Sequence, residues 1–248
     1  MKPVLLVTGG SRGIGAATAK LAAQRGYAVC LSYRSSAAAA EAVVAEIGKA
    51  GGEALAVEAD VAAETDVLRL YETVDRRFGR LRALVNNAGI LEHHMRVDEM
   101  SLGRLQRVFA TNVIGAFLCA REAVRRMSTR HGGAGGAIVN VSSMAARLGS
   151  PNEYVDYAAS KGAIDSMTIG LAREVAAEGV RVNAVCPGVI YTDIHASGGE
   201  PGRVDRIKAA VPMRRGGTAE EVAKAIVWLL SDDSSYTTGA FIDVSGGR

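Results

Sequence analysis

Tyr157 and Lys161 are four residues apart, a spacing that puts a phenol and an amine on the same face of a helix. A free tyrosine ionises near pH 10, at about the limit of useful acid–base work. A neighbouring ammonium favours the phenolate, so Lys161 is expected to pull the Tyr157 pKa down and make it a proton donor or acceptor near neutrality. Upstream, Ile138 to Ser143 reads as a strand that ends in two hydroxyls, Ser142 and Ser143. Either could hydrogen-bond a reacting oxygen at the carboxyl edge of a sheet. Taken singly, a serine pair is ordinary turn chemistry and a Tyr-x-x-x-Lys spacing arises by chance. Their joint occurrence carries the expectation.

A second group of residues points to a phosphate. Gly9, Gly13 and Gly15, with Ser11, Arg12 and Ile14 between them, follow a short apolar run and open directly into a helical stretch. A pyrophosphate is held by backbone N–H groups and the positive end of a helix, and side chains on the turn would keep it away. Glycine turns also occur without any ligand; the strand–turn–helix setting favours the dinucleotide reading. The next strand ends at Tyr33 and Arg34, with no acid where the ribose hydroxyls of NAD are normally bound. Arg12 and Arg34 offer guanidinium groups suited to a 2′-phosphate, so NADP is the expected cofactor, with NAD possible. The other reading of Arg34 is a solvated charge after a strand.

These groups must be held by a scaffold. Strand-sized apolar runs lie at 4–7, 28–31, 54–57, 83–85, 137–141, 180–185 and 240–244. Between them, 15–26, 37–50, 64–78, 101–127, 155–178 and 219–230 carry apolar residues at helical spacing. The strands lack strict polar alternation, as expected of a sheet covered on both faces. The fold expected is α/β, a Rossmann-like doubly wound parallel sheet of about seven strands flanked by helices. The glycine clusters at 132–136 and 198–202 are too short for interdomain linkers, so residues 1–248 are read as one domain.

Composition agrees with this picture. Of 248 residues, 48% are hydrophobic and 22% charged, and the net charge of +3 is spread along the chain. No basic stripe advertises nucleic acid or a membrane, which leaves a small molecule as the expected partner. The N-terminus reads as neither a signal peptide nor a span, and a cytoplasmic location is expected by default. Cys30, Cys119 and Cys186 lack metal-ligand spacing and read as small core residues. The pair His93 and His94 has no nearby acids at ligand spacing, so no metal site is expected. His131 suits a helix end, and Trp228, in an apolar helix, is expected in the core.

Over essentially its whole length the sequence resembles the single-domain short-chain dehydrogenases/reductases. The motifs occur in the family's order: the glycine turn at 8–15, Asp60 and Val61, Asn86 to Gly89, Asn112, Ser143, Tyr157 with Lys161, and Pro187 with Gly188. The resemblance implies hydride transfer between a nicotinamide and a carbonyl or alcohol, with Asn112, Ser143, Tyr157 and Lys161 as a catalytic tetrad. In that tetrad Asn112 would hold a water linking Lys161 to solvent. It also implies that Asp60 and Val61 meet the adenine, that Asn87, Ala88 and Gly89 meet the cofactor's ribose region, and that Tyr157 and Lys161 contact the cofactor too. Pro187, Gly188, Val189 and Thr192 would lie along the nicotinamide, with Val189 and Thr192 at its carboxamide. The interval from Ser143 to Tyr157 is a residue longer than in many members, which implies a different loop.

Substrate choice is expected from 91–95, 144–154 and the lid-like 191–211, with Arg147, His94, Glu153 and His195 as polar candidates. Members resembled include glucose 1-dehydrogenases and 3-oxoacyl-[acyl-carrier-protein] reductases. Arg121, Arg125, Arg126 and Arg130 could meet an acidic carrier, or form a solvated face. A binding protein without turnover predicts a damaged tetrad, whereas all four residues are present. Relatives of this kind commonly form tetramers, so a homotetramer is expected.

Overall fold

The β-branched and apolar runs form seven strands, described together with the rest of residues 2–248 in a computed structural model. They are β1 (Val4–Val7), β2 (Ala28–Tyr33), β3 (Glu53–Glu58), β4 (Leu81–Asn86), β5 (Gly136–Val141), β6 (Val180–Pro187) and β7 (Phe241–Val244). All pair in parallel in the order β3-β2-β1-β4-β5-β6-β7. The chain winds outward from β1 to β3, then returns to β4 on the other side of β1. That reversal opens a crevice beyond the carboxyl ends of β1 and β4, where a doubly wound sheet binds its ligand.

The helices are α1 (Gly13–Gln24), α2 (Ala37–Lys49), α3 (Glu64–Phe78), α4 (Leu102–Phe109), α5 (Gly115–Met127), α6 (Ala145–Leu148), α7 (Val155–Val175), α8 (Ile194–Ser197), α9 (Arg203–Ile207) and α10 (Ala219–Leu230). Strand side chains alternate between faces, so each strand feeds two cores. Leu5, Val7, Val29, Leu31 and Val85 pack under α1, α2 and α10, against Ala19, Val43 and Ile226. Val4, Leu6, Cys30, Leu84 and Ile138 pack on the opposite face under α3, α5 and α7, against Leu70, Tyr71, Met127 and Val175. Burial of this double kind explains why the strands read as continuous apolar runs. The three cysteines are buried in the molecule, and burial pushes their thiols up to about 12.

Three sequence expectations need correction. The stretch 101–127 is not one regular helix: α4 and α5 are joined by a π-helical turn at Ala110–Ile114 that contains Asn112. A π turn inserts an extra residue and re-aims the side chains within it. Trp228 is not in the core but 41% exposed. Ile226, Leu229 and Leu230 occupy the covered side of α10, whereas Trp228 falls four and eight residues after Lys224 and Glu220, on the exposed side. The third correction, to the acidity of Tyr157, follows with the site.

The interval before Tyr157 holds a tight turn after α6. Ser150 and Asn152 take left-handed φ angles of 47° and 60°, and the amides of Glu153 and Tyr154 both donate to Ser150 O at 3.2 Å. Such φ values are unusual outside glycine. Here they curl the chain so that Tyr154 turns inward immediately before α7 begins.

Candidate active site

A cavity of about 600 Å³ occupies the crevice and extends from the β1–α1 turn to the segment around α8 and α9. At one end stand Gly9, Ser11, Arg12, Gly13 and Ile14, with Tyr33 and Arg34 at the end of β2. Gly9 and Gly13 have φ of 63° and 53°, a region that a side chain makes costly. Gly15 lies behind this wall, and a Cβ there would come within 2.4 Å of Gly9 O and 2.6 Å of Asn87 Nδ2. A Cβ on Gly13 would sit 3.3 Å from Thr192 Cγ2. Glycine is therefore required both where the chain bends and where it is approached.

Thr8 and Asn87 lock this turn to the sheet. Thr8 Oγ1 accepts from the amides of Asn87 and Ala88 at 3.0 Å each. The Asn87 side-chain amide donates to Thr8 O and Gly9 O at 2.9 Å each. Asn87 lines the cavity, yet its N–H donors are spent on the turn, so it shapes the cradle rather than offering those donors to a ligand. Ser32, not singled out by the sequence, does similar work: its carbonyl accepts from Gly10 N at 2.8 Å and its hydroxyl from Gly9 N at 3.3 Å. Gly10 was also missed; a Cβ there would meet Leu31 Cβ at 2.6 Å. Close packing of a turn on its neighbouring strand leaves no mark in a single sequence beyond the glycine itself.

Farther along, Asp60, Val61, Ala88, Gly89, Pro187, Gly188, Val189 and Thr192 line the same cavity. Asp60 Oδ1 accepts from Ala62 N at 3.0 Å, an Asx turn after β3. Arg12 and Arg34 are exposed side chains on the cavity rim, and Arg12 Nη2 donates to Ser197 Oγ at 3.3 Å. An open glycine cradle at a helix N-terminus suits a dinucleotide, and Arg12 in the turn and Arg34 after β2 put two guanidinium groups on its rim.

Ser143, Tyr157 and Lys161 meet in the middle of the cavity. Lys161 Nζ donates to Val141 O at 2.8 Å and lies 5.6 Å from the centre of the Tyr157 ring. Ser143 Oγ accepts from Ala145 N at 3.1 Å, which anchors the oxygen and leaves its O–H free to donate. Ser142 also lines the cavity, but its hydroxyl donates to Asp165 Oδ1 at 2.5 Å and so serves the packing of β5 on α7. Asn112 is 1% exposed and stands behind the cavity wall. Its amide donates to Ile90 O at 3.0 Å and Ser160 Oγ at 3.1 Å, and its oxygen accepts from Ile90 N at 2.8 Å. Both Asn112 Oδ1 and Lys161 Nζ border the space beside Gly89, 3.4 and 3.7 Å from where a Cβ would lie.

The acidity expected of Tyr157 is reversed in the free protein. Burial pushes its phenol up to about 12, and the Ser143 hydroxyl only partly opposes this. Burial also pulls the Lys161 amine down to about 8, with Asp165 acting the other way. The spacing argument assumed a solvated ammonium, whereas Lys161 is buried and Tyr157 half-buried, and burial shifts each towards its neutral form.

A buried ion pair fixes the start of α7. Arg104, on α4, donates to Asp156 through Nε at 2.7 Å and Nη2 at 3.2 Å, and through Nη1 to His93 O at 2.6 Å. Beyond it lies the other end of the cavity, formed by Leu91, Met144, Glu153, Tyr154, His195 and Arg203. Of the four polar candidates expected there, Glu153 and His195 line the cavity. His94 instead pairs with Glu200 at 3.3 Å, and Arg147 with Asp243 at 2.6 Å. Tyr154 and Arg203 fall within the expected segments 144–154 and 191–211 but were not among the polar candidates; Tyr154 stands three residues before Tyr157, a helical spacing that could have singled it out.

The sheet order and the glycine cradle at its switch point define the class, a Rossmann-like α/β protein. Residues 9–248 match the family model described as enoyl-(acyl carrier protein) reductase. The chain is 60% identical over 245 residues to the uncharacterized oxidoreductase YgfF of Escherichia coli, covering 99% of each chain. It is 41% identical to a 3-oxoacyl-[acyl-carrier-protein] reductase of Synechocystis, covering 98% of this chain and 96% of that one. A short chain dehydrogenase from Burkholderia cenocepacia in complex with NADP superposes with a TM-score of 0.90 at 34% identity, covering 99% of this chain and 97% of that one. The chain belongs to the short-chain dehydrogenase/reductase family, oxidoreductases that act on CH–OH or carbonyl groups with NAD(P).

Proposed function

We propose that this protein is an NADP(H)-dependent carbonyl reductase, built as one domain over residues 1–248, with Tyr157 as its general acid. The observation that carries this reading is the meeting of Tyr157, Ser143 and Lys161 in one cavity that continues to the glycine cradle. NADP(H) is preferred over NAD(H) because the end of β2 presents Arg34, with Arg12 on the same rim and no acid for the ribose hydroxyls. The NADP complex of the Burkholderia relative supports that preference.

When bound, the nicotinamide supplies or receives the hydride. The chain's own residues orient the substrate oxygen and move the proton. Ser143 donates its free O–H to that oxygen, and Tyr157 gives up its phenolic proton to it. A phenol held near 12 is protonated throughout the neutral range, which suits the reductive direction. Lys161, below about 8, carries a positive charge behind the ring that stabilises the phenolate left after proton transfer. Asn112 holds the wall at Ile90 and Ser160, beside the space by Gly89 through which the lysine could exchange its proton with solvent.

The four arginines 121, 125, 126 and 130 are each paired with carboxylates, such as Arg121 with Glu64 at 2.7 Å and Arg125 with Glu122 at 2.9 Å. None lines the cavity, which weakens the reading of a basic mouth for an acidic carrier. We also infer a homotetramer, because Ile114, Phe117 and Ile169 present exposed apolar surface on the π turn, α5 and α7. The free, buried thiols accord with a reducing cytoplasm, and among the described residues no helix is long and apolar enough to cross a membrane. Following NADPH and NADH oxidation at 340 nm with acetoacetyl thioesters, hydroxyketones, diketones and aldehydes tests the reading. Turnover is expected with NADPH and a lower kcat/KM with NADH; cofactor binding without turnover of any carbonyl would overturn it.

A further inference from the structure

Lys161 is buried, and burial drives its amine towards the neutral form. What works against burial is Asp165, one turn further along the same face of α7. Tyr157 and Cys186, the other titratable side chains around the amine, keep their protons to about 12 and bring no charge. Arg147 on α6 acts on Asp165, but it is taken by Asp243 on β7 at 2.6 Å. Among the described residues, Asp165 is therefore the carboxylate near the lysine that has no cation bound to it.

A half-buried carboxylate is costly unless something offsets it, and burial raises the Asp165 pKa. Ser142 Oγ donates to its Oδ1 at 2.5 Å and so fixes where it stands. Val141, the preceding residue, accepts from Lys161 Nζ through its carbonyl at 2.8 Å. Two consecutive residues at the end of β5 thus hold the acid and the amine separately. A direct ion pair would draw Nζ onto the carboxylate; instead the amine stays 5.6 Å from the centre of the Tyr157 ring. A charge held one turn away still acts on it, because buried and partly buried pairs are screened much less than exposed ones.

We propose that Asp165 is a positioning residue for the proton step: a negative charge, fixed by Ser142 one turn beyond Lys161, that keeps the lysine an ammonium while leaving its amine free beside Tyr157. The inference rests on the reading that Tyr157 gives up its proton to the substrate and that the Lys161 charge stabilises the phenolate left behind. The sign follows from the charge. Without the carboxylate nothing opposes burial, so the ammonium is lost at a lower pH.

The test reads the ionisation of Lys161 by NMR in the full-length protein carrying isotope-labelled lysine. The chain has six lysines, and the Cε resonance missing from Lys161→Arg identifies that of Lys161. Its midpoint is expected near 8 in wild type. It should lie about one pH unit lower in Asp165→Asn, which keeps the shape and can still accept from Ser142, and close to wild type in Asp165→Glu, which keeps the charge. Ser142→Ala breaks the same hydrogen bond but retains the carboxylate, so its Tm should fall while its midpoint stays nearer to wild type than that of Asp165→Asn. Reductive kcat/KM with NADPH and butane-2,3-dione should follow the midpoint: Asp165→Asn about tenfold slower than wild type at pH 9 and nearly equal at pH 6. The proposal is overturned by an unmoved midpoint in Asp165→Asn, by an equal movement in Ser142→Ala, or by a moved midpoint with an unmoved rate profile. If the dione is reduced in a Tyr157-dependent way and the midpoints agree, only the role of Asp165 fails. If the midpoints differ as expected but neither the dione nor any other carbonyl is turned over, it is the reductase reading that fails.

Discussion

The two ends of the cavity are built from different materials. Around Gly9, Gly13 and Gly15 the wall is backbone, tied to the sheet by Thr8, Ser32 and Asn87. Around Tyr154, His195 and Arg203 it is side chain, held by ion pairs that join the turn before α7 to α9 and to Glu200 in the loop before it. A pyrophosphate is the same in every dinucleotide, so a rigid main-chain cradle serves it. Substrates differ, and side chains on loops can change without disturbing the sheet. Tyr157 and Lys161 stand at the boundary, on the long helix α7 anchored by the Arg104–Asp156 pair.

If that division is right, damage at one end should leave the measurements that report the other nearly untouched. The largest effect is expected at the boundary. Tyr157→Phe removes the proton but keeps the ring, and kcat should fall by about 10²–10⁴-fold while NADPH still binds in a fluorescence titration. Turnover close to wild type would remove Tyr157 from the chemistry. Next comes the cradle. Gly15→Ala places a Cβ against Gly9 O, so the turn must open; a stability loss of about 1–3 kcal/mol should appear as a lower Tm, with a weaker Kd for NADPH. An unchanged Tm and Kd would show that the backbone wall is softer than its geometry implies.

A smaller effect is expected at the rim. Arg34→Ala should raise KM for NADPH roughly tenfold while altering KM for NADH little, because only the former carries the 2′-phosphate. The preference among carbonyl substrates should survive, which separates the two ends directly. The smallest effect is a pH dependence. Lys161 is lowered by burial to about 8, so its ammonium is present below that pH and lost above it. Tyr157 stays protonated to about 12. Reductive kcat/KM should therefore fall as pH rises through about 8 and not wait for the phenol to ionise. A profile flat to pH 10 would mean that the lysine charge is not needed.

Much of the scaffold could be read in advance. All seven strands and the main helices lie within a few residues of their expected bounds, because apolar periodicity reports burial directly. The break at Ala110–Ile114 was not legible, since a π turn leaves the apolar period of 101–127 almost intact. Trp228 was misplaced because its own apolarity outweighed its spacing from Lys224 and Glu220, four and eight residues back on the exposed face of α10. Of the residues at the reaction centre, Ser143, Tyr157 and Lys161 are brought to one cavity, while Asn112 stands behind its wall. Resemblance had to choose between Ser142 and Ser143; the strand's alternation then turned Ser142 towards Asp165.

By itself the chain's order of residue types determined a doubly wound sheet, a glycine turn at its first strand and a tyrosine–lysine pair one helical turn apart. Those are local matters of periodicity, φ preference and spacing, each contained in a few consecutive residues. Only the tertiary structure decided that burial raises the phenol and lowers the amine, and that Tyr154, His195 and Arg203 close one end of the cavity. Those outcomes depend on what lies within a few ångströms across distant parts of the chain, and desolvation and charge pairing act through that distance, not through sequence separation.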